Sequence, residues 1–511
     1  MLVILFVLVL LYLAYFYSIR NFNYWQIRKV PFVQPYPFFG SCRDIYLMKK
    51  SVSQFCEAIY ENYPNEKVVG LFRSSQPVLL VRDPNILKRI LITDFSSFYL
   101  RGLNPHKPLL EPMFRNLFFA DGDLWRLLRQ RMTHAFTGAK LRAMFPLIAE
   151  KAERLKDRVS EVAADGGVTD AHELMARYAT DFIGSCGFGI DADSLNDDDS
   201  AFRSLGKSIF KYGLREAMLF FLKDTFPSYF KHLKYIPQVE RELIKLVRDI
   251  QEDRGGRPSG RNDFIDILME CKRSVTTGES MEHKNEDGTP LKISLEMDDA
   301  LLAAQVFIFF AAGFETSSVA TSFTLHQLAH HPHVQAKAHS EIDTVLAQHG
   351  NQITYEAIQK MTYLECVFKE GMRMLTPIGY VTRECAKKYA FPDINLTIDK
   401  GVLIVIPLQA FHNDPQHFEN PDEFVPERFL SSDFGAVDKD VFNPFGSGPR
   451  TCIGERLGTV QSLAGLVAVL RHCSVRPAPH TPPRPPLSPT ANVVQAFRGG
   501  LPLAFTSRTR Q

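Results

Sequence analysis

Phe445-Gly446-Ser447-Gly448-Pro449-Arg450-Thr451-Cys452-Ile453-Gly454 is the stretch that decides how this chain is read. Two glycines within three residues let the backbone turn tightly and come close to a bound group. After the cysteine, residues 453–469 form an apolar run in which only Glu455 and Arg456 are charged, the pattern of a buried helix. A cysteine at a helix N-terminus sees the positive end of the macrodipole, which favours its thiolate. A thiolate in a dry, glycine-lined pocket suits a soft metal, and haem iron held by cysteine is one such case. The competing reading is a free buried cysteine, the usual state of a lone one. The fixed register of Phe445, the glycines and Cys452 favours the ligand.

Upstream, residues 297–330 are almost unbroken by charge and would span about 50 Å as a helix. Glu296, Asp298 and Asp299 stand at its start and His326, His330 and His331 at its end, matching the macrodipole, and Pro332 stops it. A helix apolar on all sides belongs in a core. Within it Gly313 costs about 1 kcal/mol of propensity against alanine. Glu315 stands amid Phe309, Phe310 and Phe314, so a buried carboxylate there needs a partner, a proton or water. Ala312 and Gly313 leave room for a bound diatomic or a helix distortion, and Thr316 offers a hydroxyl close by. The bland alternative is that Thr316 bonds back to a carbonyl one turn earlier.

The remainder of the 511 residues sets bounds. Length alone allows two or three average domains. With 45% apolar and 23% charged residues the composition is that of a globular protein, and 40 phenylalanines favour a large apolar interior. A net charge of +2 gives no electrostatic case for nucleic acid. Eight scattered cysteines without CxxC spacing read as reduced thiols in a cytosol-facing domain. Residues 1–19 carry no charge and span roughly 28 Å as a helix, about a hydrocarbon core. Tyr15-Phe16-Tyr17 then Arg20, Arg28 and Lys29 suit an uncleaved anchor with the rest of the chain cytosolic, rather than a signal peptide or a mitochondrial presequence.

Pro31, Pro35, Pro37 and Gly40 predict a stiff elbow between anchor and globule. Residues 68–72 and 77–81 read as two short strands and 402–406 as a buried strand. Helical periodicity dominates from about 123 to 375, broken by polar stretches at 253–263 and 274–290, the second predicted to be a mobile surface loop. Residues 477–489 are proline-rich and extended, with strand-like 493–497 and 501–505 after them. Many helices with a few segregated strands make a mainly α fold with a small β-rich lobe.

The cysteine loop resembles the haem-binding loop of the cytochrome P-450 family, and four further segments match in order. Trp125-x-x-x-Arg129 is similar to the family's C helix, and Ala312-Gly313-Phe314-Glu315-Thr316 to its oxygen-activating helix. Glu370-x-x-Arg373 is similar to its K-helix pair, and Pro426-Glu427-Arg428-Phe429 to its meander arginine. The resemblance spans about 30 to 505. The phrasing of residues 117–125 and of Phe442-Asn443-Pro444-Phe445 is most similar to insect microsomal members.

This resemblance implies the cytochrome P-450 fold, with an anchor at 1–20, an elbow at 21–40 and a catalytic domain at 41–511. Haem b would be held by Cys452 as axial iron ligand, within the loop that carries Phe445, and by Trp125, Arg129, Arg383 and Arg450 near its propionates. Glu315 and Thr316 would relay protons during dioxygen activation, and thiolate ligation favours O–O cleavage. Glu370, Arg373 and Arg428 would form a buried structural network. Activity would be monooxygenation of lipophilic small molecules at the endoplasmic reticulum membrane. The electrons would come from NADPH through a reductase, with cytochrome b5 as a further donor. Residues 104–119, Phe309, Ala312, residues 376–381, Val493 and Val494 are the substrate-contact candidates. Two departures stand out: Gly371 beside the helix glutamate, and Leu457-Gly458 in place of the commoner Phe-Ala. A haem-thiolate isomerase or dehydratase of hydroperoxides is disfavoured by the intact Glu315-Thr316 pair. A haem sensor would need neither that acid nor a basic docking face such as Arg126, Arg131, Lys140 and Arg456.

Overall fold

The computed structural model describes residues 1–104, 109–261, 263–430, 440–491 and 493–508. Its centre is the long apolar stretch, a single helix from Asp299 to His330. Asp298 caps it, its carboxylate accepting the Leu301 N–H at 2.6 Å. Pro332 ends this helix and opens the next, Pro332–Ala347, where its missing N–H costs nothing. Leu301, Leu302, Phe310 and Phe314 are completely buried, each stabilising the fold by roughly 1.5–3 kcal/mol.

Around the central helix pack Ala171–Ile183, Thr362–Met374 and Glu455–Leu470. Two glycines permit the close approach. A Cβ on Gly313 would stand 2.2 Å from Ile183 Cδ1, and one on Gly371 would stand 2.4 Å from Thr324 Oγ1. The helix is continuous through Gly313, whose flank meets Ile183, while Ala312 and Gly313 both line an interior cavity. Gly371, a poor helix former, is what lets the helix carrying Glu370 and Arg373 lie against the centre. No neighbour lies within 4 Å of a Cβ built on Gly458, so packing does not account for that departure.

The strands divide between two cores, the first sheet in one of its own and the second among the helices. Val68–Arg73, Gln76–Val81, Leu403–Ile406 and Val381–Glu384 form a four-stranded sheet in that order, parallel only between its middle pair. A second sheet joins Cys473–Pro477, Pro502–Ser507 and Val168–Asp170. The proline-rich stretch 21–40 docks on the first sheet, Phe32 bridging to Gly70. Trp25 is fully buried, its indole N–H donating to the Leu71 carbonyl at 2.9 Å.

Two expectations fail. Residues 274–290 are no loose loop: Thr276–Lys284 and Pro290–Leu295 pair as an antiparallel hairpin lying against the helix Gly122–Met132. Asp123 holds it there, accepting from Ser280 Oγ at 2.6 Å and from the Met281 N–H at 2.6 Å. A tertiary partner overrode the polar composition. Residues 493–497 form no strand among the described residues, only a single bridge from Phe497 to Leu487.

Candidate functional site

The glycine-framed loop closes on itself. Gly446 and Gly448 both take positive φ, +72° and +73°, and a Cβ on Gly448 would stand 1.9 Å from the Leu91 carbonyl oxygen. The Cys452 N–H donates to the Phe445 carbonyl at 2.9 Å and Thr451 Oγ1 donates to that of Gly446 at 3.1 Å. Both Phe445 and Cys452 line an interior cavity of about 670 Å³, and the cysteine is free.

The following helix begins at Glu455, three residues after the cysteine. Burial pushes the Cys452 thiol up; the Gly454 N–H and the Arg129 and Arg101 guanidiniums pull it down without outweighing burial. A metal cation bound at this sulfur would favour the deprotonated form, since a coordinating thiol loses its proton.

Beside the cysteine four guanidiniums converge, from Arg101, Arg129, Arg383 and Arg450. Arg129 Nη1 donates to the Thr451 carbonyl at 2.7 Å. Arg450 lies 4.3 Å over the Trp125 ring and donates to the Tyr99 and Ala120 carbonyls at 2.7 and 3.0 Å. Asp121 ties these pieces together, accepting the Arg101 N–H at 2.6 Å and Arg450 Nη2 at 3.1 Å. Burial lowers Arg101 to about 10 and Arg383 to about 9, and it drives Arg450 well down. Repulsion among the cluster adds to each fall, and Asp121 compensates only in part. Arg101 Nε, Arg383 Nε and Arg450 Nη1 are buried without a partner among the described residues. Such a cluster fits an anionic group with oxygens at those nitrogens. A haem with its iron toward Cys452 and its two propionates toward the arginines meets both requirements.

Sequence reasoning missed Arg101, which sits in no motif. The available signal was Asp121, whose carboxylate does not cap its own helix but instead holds the Arg101 backbone.

Glu315 and Thr316 line the same cavity. Thr316 Oγ1 donates to the Ala312 carbonyl at 2.6 Å, so the back-bond set out as the alternative is present. Its lone pairs remain able to accept. Glu315 meets a partner the sequence did not name, His172, at 3.5 Å.

Glu370, Arg373 and Arg428 come together as expected. Arg373 donates to Glu370 from Nε at 2.8 Å and Nη2 at 2.9 Å, and Arg428 Nε donates to Glu370 Oε1 at 3.0 Å. Glu370 and Arg373 are completely buried. Arg373 Nη1 also donates to the His412 carbonyl at 3.0 Å.

Most of the substrate-contact candidates line the cavity, among them Leu117, Phe309, Ala312, Ile378, Val493 and Val494; Thr376 lies buried outside it, and residues 105–108 of the 104–119 loop lie outside the described residues. The cavity also holds a buried ion pair that sequence reasoning missed, Glu111 with Lys223. Glu111 precedes a short turn and Lys223 lies on a helix, and neither stands in a motif that signals the pairing.

Comparison with known proteins agrees with this geometry. The sequence profile of the family described as Cytochrome P450 matches residues 30–499. Cytochrome P450 6B2 of Helicoverpa armigera is 35% identical over 98% of this chain and 97% of its own length. Cytochrome P450 6B1 of Papilio polyxenes is 35% identical over 92% and 93%, and cytochrome P450 6a2 of Drosophila melanogaster 36% over 90% of each. A profile spanning nearly the whole chain, laid over a cysteine loop built to receive haem, places this protein in the cytochrome P450 family of haem-binding monooxygenases, among relatives from insects.

Proposed function

We propose that this chain is a membrane-anchored monooxygenase of lipophilic small molecules, drawing electrons from NADPH through a reductase, with cytochrome b5 as a further donor. One substrate C–H, one O2, two electrons and two protons yield one C–OH and one water. Bound haem supplies the dioxygen chemistry and the oxidising power. The protein supplies the rest. Cys452 holds the iron in the loop that Phe445 closes. Arg101, Arg129, Arg383 and Arg450, with Trp125 against Arg450, hold the propionates. Glu315 and Thr316 move protons, and the Glu370–Arg373–Arg428 network fixes the frame. The phenylalanine-rich wall excludes water and selects apolar substrates.

The assignment of residues 1–20 as anchor rests on a contrast between the two long apolar helices. The central helix is mostly buried in protein, whereas Leu2–Ile19 exposes almost every side chain, Leu2 at 81% and Tyr12 at 63%. That surface needs another apolar medium, and a bilayer fits its length. Arg20, Arg28 and Lys29 then put the elbow 21–40 and the catalytic domain 41–511 on the cytosolic face of the endoplasmic reticulum. Arg126, Arg131, Lys140 and Arg456 are the candidate docking face for the electron donor.

The convergence of Cys452 and four guanidiniums on one apolar cavity carries this reading. With reductase and NADPH the protein is expected to hydroxylate members of a lipophilic probe panel. Its reduced carbon-monoxide complex is expected to show the long-wavelength band of thiolate ligation, lost in Cys452→Ser and shifted to a histidine-type spectrum in Cys452→His. An unchanged band in either variant overturns the ligand assignment.

A further inference from the structure

Glu315 shares the interior with an imidazole. His172, second residue of the helix Ala171–Ile183, brings Nε2 to 3.5 Å from Glu315 Oε1. That is slightly too long for a good hydrogen bond, and Nε2 is buried with no other partner among the described residues. The two side chains are 18% and 12% exposed, so the pair sits between cavity and solvent.

The ring is held rather than free. It lies edge-on to Phe497, with centroids 5.7 Å apart, and its backbone N–H donates to Asp170 Oδ1 at 2.9 Å. The charged groups facing it are Glu315 from the central helix, Asp170 ahead of its own helix, and Arg203 from the helix Ala201–Ile209. Arg203 is in turn paired with Glu173 at 3.0 Å, and Glu173 with Lys207, 56% exposed, at 3.2 Å. Charged groups thus run from the cavity wall to the surface. Burial alone would push the imidazole down, but Glu315, aided by Asp170, outweighs burial and Arg203 and holds it above its usual value.

A purely structural partner for a buried carboxylate would be a permanent cation at hydrogen-bonding distance. A histidine is different, because it gains and loses a proton near neutral pH. We propose that His172 is a positioning residue that feeds protons through Glu315: Nε2–H gives its proton to the Glu315 carboxylate, and the neutral ring takes another from solvent. Each turnover consumes two protons, so an acid at Glu315 must be recharged, and His172 is placed to do it. The inference rests on the monooxygenase reading above.

The test uses the full-length holoenzyme with reductase and NADPH. His172→Gln is expected to lower product per NADPH about tenfold, less than the roughly 10²- to 10⁴-fold of a group that transfers the proton itself. It should also remove a near-neutral limb from the pH profile of kcat, while turnover driven by an organic peroxide stays within twofold. A readout independent of activity is the NMR titration of the labelled His172 ring, which should fall in Glu315→Gln; that measurement keeps His172 in place. If His172→Gln leaves coupling and pH profile unchanged while Glu315→Gln and Thr316→Ala lose coupling, His172 is structural and the proposal fails alone. If all three variants stay coupled, the monooxygenase relay itself is wrong. An unmoved His172 titration in Glu315→Gln also overturns the proposal.

Discussion

The backbone N–H of Asn443 donates to His412 Nε2 at 3.0 Å, tying a buried imidazole to the segment that leads into the cysteine loop. The other ring nitrogen meets Thr376 Oγ1 at 2.7 Å, and that hydroxyl donates to the Met372 carbonyl. The partners assign a neutral ring with its proton on Nδ1. Burial, with Arg373 adding, pushes His412 down from 6.5 to about 3.

This sets a pH dependence. Between pH 3 and 6.5 the unfolded chain binds a proton at His412 that the folded chain refuses, so stability rises with pH across that window. The contribution is fully present above 6.5 and is lost as pH falls. His326 and His339, both pushed down to about 4 by burial, act in the same direction. Urea unfolding at pH 5 and pH 7.5 is expected to show a smaller difference in His412→Gln than in the parent. An equal difference would mean that His412 does not carry it.

Glu370 accepts from two arginines and from the Val425 N–H at 3.0 Å. Glu370→Ala would strand the fully buried Arg373 charge, and breaking such a pair costs roughly 3–5 kcal/mol. The expected outcome is low haem content and a much lower urea midpoint, with Arg373→Met in the Glu370→Ala background restoring part of the loss. A single variant as stable as the parent would show the network to be dispensable.

Deleting residues 1–20 should move the protein partly from the membrane fraction to the soluble one after salt washing. Partial retention is expected, because Leu214, Met218 and Tyr229 expose apolar surface on the catalytic domain. A mature N-terminus found after residue 20 would instead mark a cleaved signal and reverse the cytosolic placement.

The order of motifs was legible because each rests on local chemistry: glycines at positive φ, a charge pair one helical turn apart, an apolar run with acidic and histidine ends. What was hidden lies between distant segments. Arg101 acquires its role only when Asp121, twenty residues on, takes its backbone N–H. The close approach of Ile183 to Gly313 was hidden because the two stand 130 residues apart in the chain. The hairpin at 276–295 read as a loop because its polar strands are held by Asp123 rather than by burial. His172 had no motif at all.

Thr316 separates a relay from a helix ornament. Its hydroxyl proton is engaged by the Ala312 carbonyl at 2.6 Å, so it can accept a hydrogen bond from the cavity but must break the back-bond to donate. If it helps deliver protons to dioxygen, Thr316→Ala should leave haem content and substrate binding nearly intact. NADPH should still be consumed, with more of it ending as hydrogen peroxide than as product. Losing one placed proton-transfer group costs roughly 10²- to 10⁴-fold, softened where water takes its place. Thr316→Ser, which keeps the hydroxyl, should recover most of the coupling, and an organic peroxide should partly restore product formation in Thr316→Ala because that route needs no protonation of dioxygen. Full coupling of NADPH to product in Thr316→Ala would leave the Ala312 back-bond as the whole role of this residue.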